Sequence, residues 1–135
     1  FDTKYQALIL ASIIEKETGI ASERKTIASV FVNRMRRGMR LQTDPTVIYG
    51  VGNDYAGDIT RAHLRDINPY NTYRMKGLPP TPISMVSKGA IEAALNPDKT
   101  DYLYFVAAGD GSHYFSKSLQ EHNKAVRRYL ALNKS

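Results

Sequence analysis

Cysteine is absent from this chain of 135 residues, and so is tryptophan. Without cysteine there is no disulfide, no thiolate nucleophile and no cysteine metal site, although that absence does not choose a compartment. Long apolar runs are missing too. The longest, Ala7 to Ile14, falls well short of the roughly 20 residues a membrane-spanning helix needs, and it reads as part of an amphipathic helix. Histidine is scarce. His63, His113 and His122 stand apart without metal-ligand spacing, so single surface or capping roles are expected of them and no metal site. No internal repeat or low-complexity tract occurs, and no motif asks for a cofactor. The chain opens Phe1-Asp2-Thr3, with neither an initiator Met nor a signal peptide. This reads as a domain cut from a longer protein, with its targeting segment not included.

What is present describes one globular domain, residues 1–135, with enough length for a hydrophobic core. Hydrophobic residues make up 42% and charged residues 24%, ordinary values for such a domain. The net charge of +6 suggests an anionic partner: a charged polymer, a nucleic acid or a membrane surface. Much of the excess lies in Arg34, Arg36, Arg37 and Arg40, and in Lys124, Arg127 and Arg128. Both groups fall at or just past expected helix C-termini, where cations meet the helix dipole favourably, and both read as solvated basic faces.

The pattern is mostly helical. A first helix over Ala7 to Thr18 is expected to stop at Gly19. A second, from Ser22 as N-cap to Arg37, stops at Gly38 and carries the stripe Ile27, Val30, Phe31, Arg34/Met35. Asp44-Pro45 opens a short helix, with Asp44 as N-cap, Pro45 at the first helical position and Gly50 at the end. Thr60 to Leu64 reads as one helical turn. Residues 66–84 hold four prolines and little periodicity, and a stretch of that length is expected to be functional rather than a passive connector. A helix over Val86 to Leu95 follows. Tyr102 to Val106 and His113 to Phe115 flank the turn Gly109-Asp110-Gly111-Ser112 as a β-hairpin. That turn lacks the following helix and Lys of a phosphate loop. Ser118-x-x-Glu121 is a capping box that starts the last helix. The expected class is therefore α+β, mostly helical with one small hairpin.

Within this pattern Glu17 is anomalous. Side chains step about 100° around a helix, which places Ile9, Leu10, Ile13 and Ile14 in a mean direction roughly 170° from Leu8. Glu17 falls at about 180°, along that apolar face, whereas Glu15 lands near 340°, toward solvent. A carboxyl among apolar neighbours has its charged form disfavoured and its pKa raised, which suits a general acid. The other reading is structural: a helix-end carboxylate bonding backbone groups or an arginine. The nine tyrosines add a second signal. Tyr70, Tyr73, Tyr102, Tyr104 and Tyr114 sit in the long loop and the hairpin, where amphipathic rings suit stacking on sugars or bases, although strand propensity explains the last three equally well.

Three short stretches, in order, resemble motifs of the lytic transglycosylases that cleave bacterial peptidoglycan. Glu17-Thr18 stands where that superfamily has a catalytic Glu followed by Ser. Gly38-Met39-Arg40-Leu41-Gln42-Thr43-Asp44-Pro45 resembles Gly-Leu-Met-Gln followed by Pro, with one extra residue. Pro69-Tyr70-Asn71 resembles Ala-Tyr-Asn. The longer strings Ala11 to Thr18, Leu41 to Gly50, Tyr70 to Tyr73 with Gly77-Leu78-Pro79-Pro80, and Tyr102 to Val106 are similar to the YceG-like endolytic murein transglycosylase family. That similarity covers nearly the whole chain.

The resemblance implies a lysozyme-like fold and peptidoglycan glycan strands as substrate. It also implies penicillin-binding proteins as partners, an inner-membrane location facing the periplasm through an N-terminal anchor, and a small LysM-like domain, with anchor and LysM-like domain both outside this sequence. It assigns the general acid/base to Glu17 and substrate contacts to Gln42, Tyr70 and Asn71, with Tyr73 and Tyr104 as further cleft residues. One carboxyl suffices for such an enzyme. It protonates the oxygen between N-acetylmuramic acid and N-acetylglucosamine, then accepts the proton of the muramyl C6 hydroxyl as it closes a 1,6-anhydro ring. Asp44 is the other motif carboxylate, with helix capping as its expected role. Two alternatives remain, a non-catalytic peptidoglycan-binding domain and a basic nucleic-acid-binding module. The second would need arginines interleaved with aromatics on one face, and here the two classes fall on different elements.

Overall fold

Thr3 starts the first helix by accepting the Gln6 N–H on its hydroxyl at 3.1 Å. The computed structural model describes residues 3–133. Helix α1 (Lys4–Glu17) begins one turn earlier than its apolar run. It buries the expected face, with Ile9 at 3% exposure and Leu10, Ile13 and Ile14 at zero. A 3₁₀ turn (Ala21–Glu23) leads into α2 (Arg24–Arg36), so Ser22 does not cap this helix. The following helices are α3 (Asp44–Val51), α4 (Arg61–Arg65) and α5 (Lys88–Leu95). Strands β1 (Tyr104–Ala107) and β2 (His113–Ser116) pair antiparallel, with Tyr104 opposite Ser116 and Ala107 opposite His113. Helix α6 (Leu119–Asn133) closes the order and packs on the hairpin. The fold is α+β, as expected. Among the described residues no helix is long and apolar enough to cross a membrane.

The core joins α1, α2 and α5. Leu10, Ile13 and Ile14 meet Ile27 and Phe31 of α2 and the small residues Ala90, Ala93 and Ala94 of α5, whose lack of bulk lets the helices approach. Phe31 reaches the hairpin edge-on, with its ring 5.8 Å from Phe105. Polar groups inside are satisfied by specific bonds, as burial requires. Ser12, fully buried on α1, receives the Ile83 N–H on its hydroxyl at 3.0 Å, and Ser84 donates to the Ser12 carbonyl at 3.0 Å. These bonds fasten the end of the long loop to the helix that carries Glu17.

Glu15 corrects one expectation. It is only partly exposed, and its carboxylate accepts the Ser87 N–H at 2.6 Å. Ser87 caps α5 through its hydroxyl, which accepts from Ala90. A capping box would take its carboxyl from the third helical residue, but here that residue is Ala90 and α1 supplies the carboxyl instead. The Ser87 hydroxyl first, and this backbone bond after it, hold the Glu15 carboxyl below its usual pKa. Asp44 is a second correction. Thr43 occupies the N-cap and Asp44 is the first helical residue, so Asp44 favours the helix only through its place in the first turn. The third concerns the basic face, since Arg34 is 8% exposed and points inward.

Candidate active site

Glu17 stands at the last helical position of α1, because the backbone turns extended at Thr18. The Thr18 hydroxyl accepts the Ile20 N–H at 3.0 Å and fixes this exit. Thr18, rather than a left-handed Gly19, therefore ends the helix. The Glu17 side chain opens into a cavity of about 530 Å³. One wall is the segment Leu41 to Asp44 with Tyr73; the other is Phe105, Val106, Ala107 and His113 of the hairpin, with His122 of α6 and Arg34 of α2 alongside. A larger cavity of about 810 Å³, bounded by Ile9, Met35 and the Leu78 to Pro80 turn, has no carboxylate in its lining and Glu17 does not face it.

Burial pushes the Glu17 carboxyl up to about 7, the negative charge of Asp44 adds to the rise, and the Thr43 hydroxyl opposes it. That hydroxyl is buried and otherwise without a partner, so the carboxylate is the group it serves. At neutral pH Glu17 is therefore close to half protonated, the state in which one carboxyl can both give and take a proton. Asp44 accepts the Tyr73 hydroxyl proton at 2.6 Å. Burial and this bond push the Tyr73 phenol far above its usual value, so it remains a donor.

Gln42 is the one non-glycine residue with positive φ among those described, at 50°. Its N–H bonds the Thr72 carbonyl at 3.2 Å, and the next N–H, of Thr43, bonds the Thr72 hydroxyl at 2.9 Å. The clamp holds a left-handed residue that few side chains tolerate, and it leaves the Gln42 side chain exposed at the cavity.

Tyr73 and Gln42 thus sit beside Glu17, while the other expected contacts do not. Tyr70 lies outside the cavity lining. Its ring packs on Tyr49 at 4.9 Å and its hydroxyl bonds Thr81 at 2.8 Å. Asn71 is completely buried. Its amide donates to the carbonyls of His63, Leu64 and Asp66 at 3.2, 3.1 and 2.6 Å, and its oxygen accepts the Tyr73 N–H at 3.0 Å. Asn71 holds the loop that positions Tyr73 and has no atom left for a ligand. The substitution Asn71→Ala should strand these carbonyls and cost about 2–4 kcal/mol, read as a fall in Tm. Tyr104 stands behind the lining. Its ring stacks on His122 at 5.0 Å, and the Arg34 guanidinium lies 5.0 Å from its centre.

Arg34, His113 and His122 also line the cavity, outside the residues expected as contacts. Arg34 donates through Nε to the Leu103 carbonyl at 2.6 Å and through Nη1 to the Arg40 carbonyl at 2.9 Å. It thereby ties α2, the segment before α3 and the hairpin together around the cavity. Its place on the apolar stripe of α2 was the available signal. His113 is pinned by Glu23, which accepts its N–H at 3.0 Å and pairs with Nδ1 at 2.8 Å. His122 is held below its usual pKa by burial and by Arg34, which keeps its ring neutral near pH 7. Neither histidine carries a signal in its own sequence neighbourhood. His63 does cap, its Nδ1 accepting the Thr60 N–H at 3.0 Å.

The sequence model of the YceG-like family matches residues 1–128. The chain belongs to the YceG-like family. Among its YceG-like relatives, a Bacillus subtilis (strain 168) protein named endolytic murein transglycosylase is 46% identical over 127 residues, covering 94% of this chain and 35% of the relative. A protein of the same name from Streptococcus pneumoniae serotype 2 is 36% identical over 134 residues, covering 95% of this chain and 24% of the relative. A crystal structure of a yceG-like protein from Listeria monocytogenes superposes with a TM-score of 0.83 at 52% identity, covering 89% of this chain and 39% of that one. The chain thus spans about a quarter to two-fifths of the YceG-like proteins it matches.

Proposed function

We propose that this domain is the catalytic part of an endolytic murein transglycosylase, cutting the bond between N-acetylmuramic acid and N-acetylglucosamine inside peptidoglycan strands. The observation that carries the reading is Glu17 itself: a carboxyl raised to about 7, opening into a cavity between Tyr73 and the hairpin. A lysozyme-like arrangement, with one acid at a helix end facing a β-hairpin, is consistent with it. The relatives' shared name supports the substrate.

In the first step protonated Glu17 gives its proton to the bridging oxygen as the bond to muramyl C1 breaks. The muramyl 2-acetamido oxygen supports the developing charge at C1. In the second step the Glu17 carboxylate takes the proton of the C6 hydroxyl as that oxygen bonds C1, closing a 1,6-anhydro ring. Glu17 ends as it began and no water is consumed. Intramolecular attack has a high effective molarity, so a cleft that orients the ring favours it over hydrolysis. Release of nascent strands beside penicillin-binding proteins, at the outer face of the inner membrane, is the cellular setting that fits this activity.

Asp44 supports one rival chemistry, because it shares the cavity with Glu17. Were it a base for water, the enzyme would be a hydrolase with two carboxylates. Mass spectrometry of the products decides. Strands ending in 1,6-anhydro-N-acetylmuramic acid, one water lighter than reducing ends, are expected. Reducing ends would make Asp44 the second carboxylate, and binding without cleavage would leave a glycan-binding domain.

A further inference from the structure

A second, smaller cavity of about 360 Å³ adjoins the first through two shared residues, Arg34 and Gln42. Its remaining lining is Gly38, Met39, Arg40 and Lys76. Three of the six residues are cations and none is acidic. Arg40 and Lys76 face each other across an isolated antiparallel bridge, a pairing in which like charges repel. Among the described residues no carboxylate lies within ion-pair distance of either, or of Arg34. The fold also builds this place. Gly38 turns the chain after α2 with φ of 69°, the Met39 N–H bonds the Arg34 carbonyl at 2.9 Å, and buried Arg34 holds the Arg40 carbonyl. The Arg40 and Lys76 side chains remain exposed.

We propose that this pocket is a subsite for the carboxylates of a peptide stem carried by the sugar next to the scissile bond. The inference rests on the reading of Glu17 as a glycan-cleaving acid. A glycan backbone is uncharged, whereas the stems on its muramyl lactyl groups carry carboxylates at short intervals. An unbalanced cationic pocket sharing Gln42 and Arg34 with the catalytic cavity lies one step from the sugar held there. Charge on charge at a partly enclosed site selects strongly and is weakened by salt. The subsite therefore sets which stretches of a strand are cut, and Glu17 supplies the chemistry.

The test compares native stem-bearing glycan strands with the same strands whose stem carboxyls have been chemically amidated, scored by new chain ends formed by the protein. Wild type should cut the native strands about tenfold faster in kcat/KM, and the preference should shrink toward one as salt rises. The double variant Arg40→Gln/Lys76→Gln should lose most of that preference, and Arg40→Lys should retain it, because it keeps the charge. Both positions are exposed, so a thermal melt superimposable on wild type is expected and excludes unfolding as the cause. Equal cutting of both polymers by wild type would overturn the subsite alone. A preference undiminished in the double variant would do the same. No cutting of either polymer would overturn the reading of Glu17 and the subsite with it.

Discussion

Glu17→Gln should lower kcat on purified peptidoglycan by about a thousandfold or more, while the fold and glycan binding persist. Glutamine keeps the shape of the side chain but neither gives nor takes the proton. The same substitution should stabilise the protein at alkaline pH. In the unfolded chain Glu17 ionises near 4.5, but in the fold only near 7, so folding opposes its ionisation. Below pH 4.5 both states are protonated and the wild type bears no penalty. The penalty grows between pH 4.5 and 7 and is complete above, where it is on the order of 3 kcal/mol. Thermal melts should therefore show Glu17→Gln more stable than wild type at pH 8 and equal to it at pH 4. Glu15→Gln is the control with the opposite profile. It should keep most activity and lose about 1 kcal/mol at neutral pH, because its carboxylate caps α5. Activity surviving in Glu17→Gln and lost in Glu15→Gln would contradict the assignment.

The pH profile should carry the same signature. Because the proposed first step needs the protonated carboxyl, kcat/KM should fall as pH rises through about 7, the value to which burial and Asp44 bring Glu17. In Asp44→Asn the neighbouring charge is gone, whereas Asn keeps an oxygen able to accept from Tyr73. The alkaline limb should then move to lower pH without vanishing, since burial is the larger cause. A limb that stays in place would mean that the titrating group is not Glu17.

Periodicity makes Glu17 legible: it sits on the apolar stripe of its helix and turns inward to the cavity. Arg34 also sits on such a stripe and lines the same cavity, but its charge puts it with the basic residues, where it reads as part of a solvated face. Where a segment has no period, this reasoning stops. In residues 66–84 the adjacent Tyr70, Asn71 and Tyr73 all read as contacts, because neither pattern nor motif tells a side chain that faces a ligand from one that holds the loop. The structure separates them: Asn71 is buried on backbone carbonyls, Tyr70 packs on Tyr49, and Tyr73 lines the cavity. At Thr43-Asp44-Pro45 the cap sits one residue earlier than the pattern predicts, which puts Asp44 in the first turn of the helix and in the cavity beside Glu17. His113 and His122 reach the site only because the hairpin folds back onto α2 and α6 packs on the hairpin, pairings distant in sequence from Glu17. The cap at Ser87 completes its box with Glu15, from 72 residues away, which no local motif encodes.

Burial in this fold brings the Glu17 carboxyl up to about 7, where it can serve as an acid at neutral pH. Carbon-13 NMR titration of the labelled Glu17 side-chain carboxyl measures this directly. A midpoint near 7 is expected in the wild type and a lower one in Asp44→Asn. A midpoint near 4.5, insensitive to Asp44, would mean that burial does not tune this carboxyl, and would contradict its role as the acid.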